Sequence, residues 1–522
     1  MHRVKPIYPF IFSIYLVMML LAHNSGEVEL LTGIRPAFAM LTIISIIFML
    51  FAGLYRNVHS ASLATFLLSF SIFSYGRIYE GLKNLGLPGD SLIRHRYLLP
   101  TLFVVILVAL LLIWKNQPKP NLSKYLNIIS IVLLGLPTIQ IIGFFIETNT
   151  LISNQSTDET MCDPFTQIPE DPPDIYIIIM DGYERADILK EMHGFDNSQF
   201  LNWLETNDFY VAEGSLSNYR HTELSIASLL NMNYIQSFPE KYSEDRNNRM
   251  GIIAMISENL LRHELECRGY KTVAFDTGLF WTKWENVDYF LSQSFGPFED
   301  IHVLGKLTNF EALLFNTTIG RAINDGVLTF NEKQAPVSVD QHDDHRNRIL
   351  FTFDQLEKVP SLPSPKIVFV HILSPHPPMV FGPNGEAVSY GDFKATLSDV
   401  DKERFFLNAY ADQVSFLNSA LKQAVISIVQ QSKTSPIIII QGDHGWADRN
   451  KEDKLSILNA YHLPNVDEQF LYPKITPINT FRLIMSHYFN ADYPLLPDES
   501  YYSDDSAVFQ FEMINNTWSL KP

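Results

Sequence analysis

The sequence predicts a chain in two parts: an N-terminal five-helix transmembrane unit, then an α/β domain whose mainly parallel sheet carries helices on both faces. Three observations predict it. Long apolar stretches are confined to roughly the first 150 residues; three later apolar runs of strand length each stop abruptly at or just before an Asp or a His; and strand-like and helix-like segments alternate between those runs. At 522 residues the chain is also longer than one core usually serves.

Five stretches come close to the about 20 apolar residues that cross roughly 30 Å of hydrocarbon: Ile7 to Ala22, Pro36 to Tyr55, Ser60 to Tyr75, Tyr97 to Trp114 and Tyr125 to Ile146. Tyr55, Tyr97, Trp114 and Tyr125 lie at their ends, where amphipathic rings favour the headgroup layer. With the N-terminus inside, the inner segments hold Arg3, Lys5, Arg56, Lys115, Lys119 and Lys124, against Arg35, Arg77, Lys83, Arg94 and Arg96 outside, so charge alone does not orient the unit. A polar, Pro-rich linker follows over 151–171, then a domain over 172–490 and a C-terminal extension over 491–522.

Charge follows the same division. Residues 1–150 hold 11 Lys+Arg against 5 Asp+Glu and the rest 28 against 52, so the chain's −18 separates into +6 and −24. An acidic domain is a poor partner for a phosphate backbone, which excludes nucleic acid. The two cysteines, Cys162 and Cys267, exclude a disulfide framework or a Cys-based zinc site; they form one bridge or remain two thiols.

In the second part, Ile175 to Met180 reads as a buried strand that ends at Asp181 and Gly182. Asp187 to Leu204 has a helical pattern, Phe209 to Val211 is a short strand, and a helix begins near Thr222. A hydroxyl there either caps the helix or faces the free amides and the dipole that attract a phosphate or sulfate. Tyr270 to Phe275 is a further strand, followed by Asp276 and the cluster Phe280, Trp281, Lys283 and Trp284, which lines a pocket, leans on lipid or belongs to the core. Lys366 to His371 leads into Pro375, His376 and Pro377, and Pro436 to Gln441 leads into Gly442, Asp443, His444 and Gly445. In open α/β sheets ligands bind beyond the carboxyl ends of parallel strands, so these ends are expected to converge.

Asp181, Asp443 and His444 are two hard oxygen donors and an imidazole, and Thr222 supplies a fourth donor once deprotonated. Such a mixed set suits Zn²⁺ or Mn²⁺ better than Mg²⁺ or Ca²⁺. A bound cation lowers the pKa of an alcohol and offsets charge on a phosphoryl group, and a histidine beside it, His376 before His371, contacts those oxygens or protonates the leaving group.

In these residues, taken in order, the chain resembles the membrane-anchored, sulfatase-like branch of the alkaline phosphatase superfamily, with its lipoteichoic acid synthases and phosphoethanolamine transferases. The resemblance runs through Met180-Asp181-Gly182, Tyr219-Arg220-His221-Thr222, Pro375-His376-Pro377 and Gly442-Asp443-His444-Gly445. It implies one divalent metal, Zn or Mn, on Asp181, Thr222, Asp443 and His444, with Thr222 as nucleophile and His376 near the substrate. Substrate-binding positions are expected at His371, Arg220, Asp276, Trp281 and Lys283. It also implies an extracytoplasmic catalytic domain on a multi-pass protein of the inner or plasma membrane, acting on a membrane lipid or envelope glycan. Neither cysteine lies in the C/S-x-P-x-R context of sulfatases, Asp181 stands where the transferases mostly have Glu, and the stretch from Asp276 to Trp284 resembles the synthase substrate pocket loosely. The leading expectation is phosphotransfer or phosphodiester cleavage on a lipid headgroup; the alternatives are a membrane-anchored hydrolase of sulfate or phosphate esters and an inactive envelope-binding domain.

Overall fold

The computed structural model describes residues 5–26, 28, 30–85, 93–153, 170–243, 247–284, 286–293, 309–324, 339–388, 399–447, 449–466 and 468–519. The chain divides into two compact units, Met1–Glu147 with Pro297–Asp340, and Thr148–Gly296 with Gln341–Pro522.

The first unit begins with helices α1 (Tyr8–His23), α2 (Ile34–Tyr55), α3 (Val58–Asn84), α4 (His95–Lys115) and α5 (Pro120–Ser153). Among the described residues four helices, α2 to α5, are long and apolar enough to cross a membrane. The fifth expected span, α1, has 16 residues, about 24 Å of rise, short of the roughly 30 Å hydrocarbon core. Outward faces are apolar, with Phe103, Leu111 and Ile139 all more than half exposed, as lipid requires. Polar side chains turn inward and pair, as where the Tyr75 hydroxyl meets His95 Nδ1 at 2.7 Å. The helix α5 runs past the expected end of its span to Ser153, and residues 154–169 of the expected linker, Cys162 among them, lie outside the described residues. Cys267 is disulfide-bonded.

The second unit opens with β1 (Ile175–Met180), α6 (Ala186–His193), α7 (Ser198–Thr206), β2 (Tyr210–Val211), α8 (Thr222–Leu230), α9 (Met250–Ser257), α10 (Leu260–Glu266), β3 (Lys271–Phe275) and β4 (Tyr289–Leu291). Gly194, at φ 64°, divides the expected helix over 187–204 into α6 and α7. Next come α11 (Asn309–Asn316) and α12 (Gly320–Asn324), which pack in the first unit instead. There Arg35 pairs with Glu311, Arg321 with Glu80 at 2.6 Å, and the turn between α11 and α12 bonds to α3 through Gly76 N to Thr317 O (3.0 Å) and Ile319 N to Ile72 O (2.8 Å). The segment is short and carries charge, so hydropathy alone does not assign it there. The second unit resumes with α13 (Val339–Leu356), β5 (Lys366–Ile372), α14 (Asp399–Gln431), β6 (Ile437–Gly442), β7 (Asn459–His462), α15 (Pro477–Phe489), β8 (Ser500–Tyr502) and β9 (Glu512–Ile514).

Seven strands form one sheet in the order β2-β7-β6-β1-β5-β3-β4, parallel from β6 through β4 and antiparallel at β7 and β2. Both faces are covered, which is why the central strands show no alternation. Ile175, Ile177 and Ile179 pack with α8, α9 and α15 on one side, while Tyr176, Ile178 and Met180 pack with residues of α6, α7, α13 and α14 on the other. Val508 and Phe509, in the C-terminal extension, belong to the first of these cores. Register sets the site: Met180 pairs with Ile372 on one side and Gly442 on the other, so Asp181, Leu373 and Asp443 leave the sheet at one level.

Candidate active site

Two glycines let the strand ends meet. Gly182 takes φ 71°, a left-handed conformation that turns the chain sharply after Asp181, and Gly442 lies where a Cβ would be 2.3 Å from the Tyr183 carbonyl oxygen. The Gly182 and His444 amides, both at 2.9 Å, donate to Asp443 Oδ1. That leaves Oδ2 buried, with no hydrogen-bond partner, and Asp181 Oδ1 is in the same state.

Ligand atoms of Asp181, Asp443 and His444 lie within 4.8 Å of one another. The His444 ring is set for ligation. Its Nδ1 is 2.9 Å from the Gly445 carbonyl, which can only accept, so Nδ1 carries the proton and Nε2 presents its lone pair. That Nε2 is 3.5 Å from Asp181 Oδ1, 3.5 Å from Asp443 Oδ2 and 3.2 Å from Thr222 Oγ1. Thr222 is the first residue of α8, and Ser225 one turn on donates to the Asp443 carbonyl at 2.7 Å, tying the helix start to the end of β6. Its hydroxyl faces the histidine and carboxylates, and α8 has no side-chain cap bond at His221.

The electrostatics fit a cation. Burial, then the neighbouring Asp443, raise the Asp181 carboxyl well above the ordinary carboxylate range. Burial opposes charge on Asp443 too, but His444, His371, the Gly182 amide and the Thr222 hydroxyl hold its pKa below the ordinary value. Two buried carboxylates side by side repel, and a cation between them would favour the charged form of both. The orphaned oxygens, the open Nε2 and the mixed O and N donors fit one divalent ion held by Asp181, Asp443, His444 and Thr222.

A cavity of about 470 Å³ opens over this cluster, with Thr222, His376, Trp281, Arg220 and Trp446 among its walls. The His376 amide donates to the Asp181 carbonyl at 2.9 Å, and its ring Nδ1 donates to the Pro377 carbonyl at 2.8 Å, leaving Nε2 as the other ring nitrogen. The ring stands edge to face with Trp446, centroids 5.1 Å apart. His371 lies elsewhere: it is fully buried, with Nε2 3.9 Å from Asp181 Oδ2 and 4.0 Å from Asp443 Oδ2, and burial pushes its pKa down to about 4. It lies beneath the carboxylates and does not line the cavity.

Asp276 and Lys283 are not among the cavity's walls either. Asp276 accepts from the Gly278 amide at 3.0 Å and faces Arg348 at 3.8 Å, and the Lys283 ammonium lies 5.2 Å from the centre of the Phe290 ring. The aromatic cluster divides: Trp281 faces the cavity, while Trp284 is fully buried and stacks on Phe369.

Several residues of the site carry no signal in the sequence. Arg249, His345, Lys454 and Asp505 line the cavity from distant loops and helices. Burial, then the charges of Arg249 and Arg220, push His221 down to about 4. Glu184, fully buried, accepts from the Trp446 amide at 3.2 Å, from the Ala447 amide and from His193 Nε2 at 2.8 Å, and so holds the loop that follows His444. A larger cavity of about 610 Å³ elsewhere in the unit has Arg185 and Arg449 in its walls, but both are paired with acids.

No protein-family model matches the chain, and no curated protein matches it in sequence. Among solved structures it is similar to the zinc complex of the C-terminal periplasmic domain of EcEptC from Escherichia coli, at 11% identity over 64% of this chain and 91% of that one, TM-score 0.39. It is similar also to the lipoteichoic acid synthase LtaP from Listeria monocytogenes, at 12% identity over 65% and 81%, TM-score 0.39. A third is the integral membrane lipooligosaccharide phosphoethanolamine transferase A (EptA) from Neisseria meningitidis, at 12% identity over 92% and 93%, TM-score 0.41.

Proposed function

We propose that the chain is a metal-dependent phosphotransferase or phosphodiesterase that acts on a cell-envelope phosphoester, a lipid headgroup, through Thr222. One observation carries the reading: the Thr222 hydroxyl lies 3.2 Å from His444 Nε2, at a helix start, beside two carboxylate oxygens that have no partner. A divalent ion bound there, Zn or Mn, would lower the pKa of the hydroxyl and offset negative charge on the phosphoryl oxygens.

Thr222 Oγ loses its proton to solvent and forms a bond to phosphorus as the bond to the departing headgroup or lipid oxygen breaks. That oxygen leaves as an alcohol, taking a proton from Nε2 of His376 in its imidazolium form, whose Nδ1–H stays on the Pro377 carbonyl. An acceptor hydroxyl, or water, then gives its proton to the now neutral Nε2 of His376 and bonds to phosphorus as the Thr222 Oγ1–P bond breaks, and Thr222 takes a proton from solvent, so that both residues regain their starting states. The α8 amides and helix dipole favour the charge on the phosphoryl group throughout. Apolar helices would tether the chain to the bilayer, and tethering raises the effective concentration of a lipid donor. The disulfide at Cys267 suits an oxidising compartment and supports a catalytic unit outside the cytoplasm on an inner or plasma membrane protein.

The test is mass spectrometry of the Thr222 peptide after metal-loaded full chain is incubated with labelled envelope lipids. The expected result is a headgroup phosphate on Thr222, absent from Thr222→Ala, which stays folded and loses turnover. Full turnover in Thr222→Ala would refute the nucleophile, and no turnover of any ester by a metal-loaded wild type would favour an envelope-binding role.

A further inference from the structure

The cavity that reaches Thr222 contains a second cationic group, and a carboxylate from far along the chain sits on it. Arg220 grips Asp505 with both arms, Nη1 to Oδ1 at 2.9 Å and Nη2 to Oδ2 at 3.2 Å. Nη1 also donates to the Ser503 carbonyl at 3.1 Å, and His221 Nδ1 is 3.8 Å from the same Asp505 Oδ1. Arg249 lines the cavity beside them, oriented by Glu223 at 2.7 Å, one residue after the proposed nucleophile. The parallel two-point grip is the geometry by which a guanidinium recognises a carboxylate or phosphate.

Asp505 is held by its backbone, and its tip, though paired with Arg220, is open to water. Asn247 Nδ2 bonds to the carbonyls of Asp505 at 3.4 Å and Ser506 at 2.9 Å, and Val508 and Phe509 are packed in the core. The Asp505 side chain is 74% exposed against 18% for Arg220. An ion pair open to water on the acid's side is weakly held, so another anion can displace it. The phosphoryl group at Thr222 has the helix start and the cation site to receive it, which leaves this cationic cluster for another anion.

We propose that Arg220 and Arg249 form a second anion subsite, for a phosphate or carboxylate of the substrate other than the phosphoryl group at Thr222, with Asp505 occupying it until that substrate binds. The substrate class is therefore one with two separated anionic groups. The proposal rests on the Thr222 reading for its place in catalysis, and its binding test does not need turnover.

The test is calorimetry of the Zn²⁺-loaded full chain in detergent with glycerol 3-phosphate and glycerol 1,3-bisphosphate. The bisphosphate should bind about tenfold or more tightly than the monophosphate. Asp505→Asn should widen that ratio by removing the internal competitor, Arg220→Gln should bring it close to one, and Arg220→Lys, which keeps the charge but not the fork, should fall between. Equal affinity for the two ligands in both wild type and Asp505→Asn would overturn the subsite, as would a bisphosphate advantage that survives Arg220→Gln and Arg249→Gln. If Thr222 is never labelled yet the ratio depends on Arg220, the reaction fails and the subsite stands.

Discussion

The floor of the site and its wall are built differently. The floor, Asp181, Asp443 and His444, sits at the ends of two adjacent parallel strands, with the carboxylates buried and the Gly182 and His444 amides donating to Asp443. Most of the wall, Arg220, Arg249 and Asp505 included, comes from loops as much as 285 residues apart, with side chains 18%, 30% and 74% exposed. A rigid sheet edge holds the groups that must keep their geometry during reaction, while recognition falls to segments that can change without disturbing the sheet.

Glu184 joins the two regions, so its loss should have the largest effect. Its carboxylate is fully buried on two amides and the His193 ring. Glu184→Ala would leave all three unpaired, at a cost of about 3 kcal/mol in denaturant unfolding. Turnover should fall about tenfold or more as the Trp446 loop behind His444 loosens. Unchanged stability and rate would mean that floor and wall are not coupled there.

The next effect is one of pH. His221, His345 and His371 are each pushed down to about 4 by burial, against about 6.5 in an unfolded chain. Between those values the unfolded chain binds more protons than the folded one, so stability is present above about pH 6.5 and is lost as pH falls toward 4. The unfolding temperature should drop across that window, less steeply in His371→Asn. A flat profile from pH 7 to about 4.5 would show that these rings are wetter than their burial implies.

The smallest effects belong to residues that face away from the cavity. Asp276→Asn and Lys283→Ala should leave kcat/KM within about twofold, whereas Trp281→Ala should raise KM about tenfold with kcat little changed. A large loss in Lys283→Ala would return that residue to the wall.

The floor is legible in the sequence for a physical reason. A strand buried on both faces must be apolar throughout, so Ile175 to Met180 and Ile437 to Ile440 stand out, and a carboxylate that ends such a run is conspicuous. The helix start at Thr222 is legible for a similar reason, since a polar loop gives way to a helical pattern there. The wall is not legible in this way. Whether Trp281 or Trp284 faces the cavity depends on how the chain turns after β3, and both read alike as aromatic residues. His371 illustrates the limit from the other side: its place on β5 is evident, but that it lies beneath the carboxylates and away from substrate follows only from the packing of β5 against β1. Asp505 reaches Arg220 across 285 positions of chain, a distance no local pattern encodes. The segment carrying α11 and α12 escapes a hydropathy reading because short charged helices resemble any surface insertion.

The most direct test of the metal centre is an anomalous diffraction map recorded at the absorption edge of the metal that co-purifies with the full chain. The expected result is one strong peak about 2.0–2.2 Å from oxygens of Asp181 and Asp443, His444 Nε2 and Thr222 Oγ1, and loss of that peak in Asp443→Ala. A metal-replete protein with no peak among these four residues, or with its metal bound elsewhere, would contradict it.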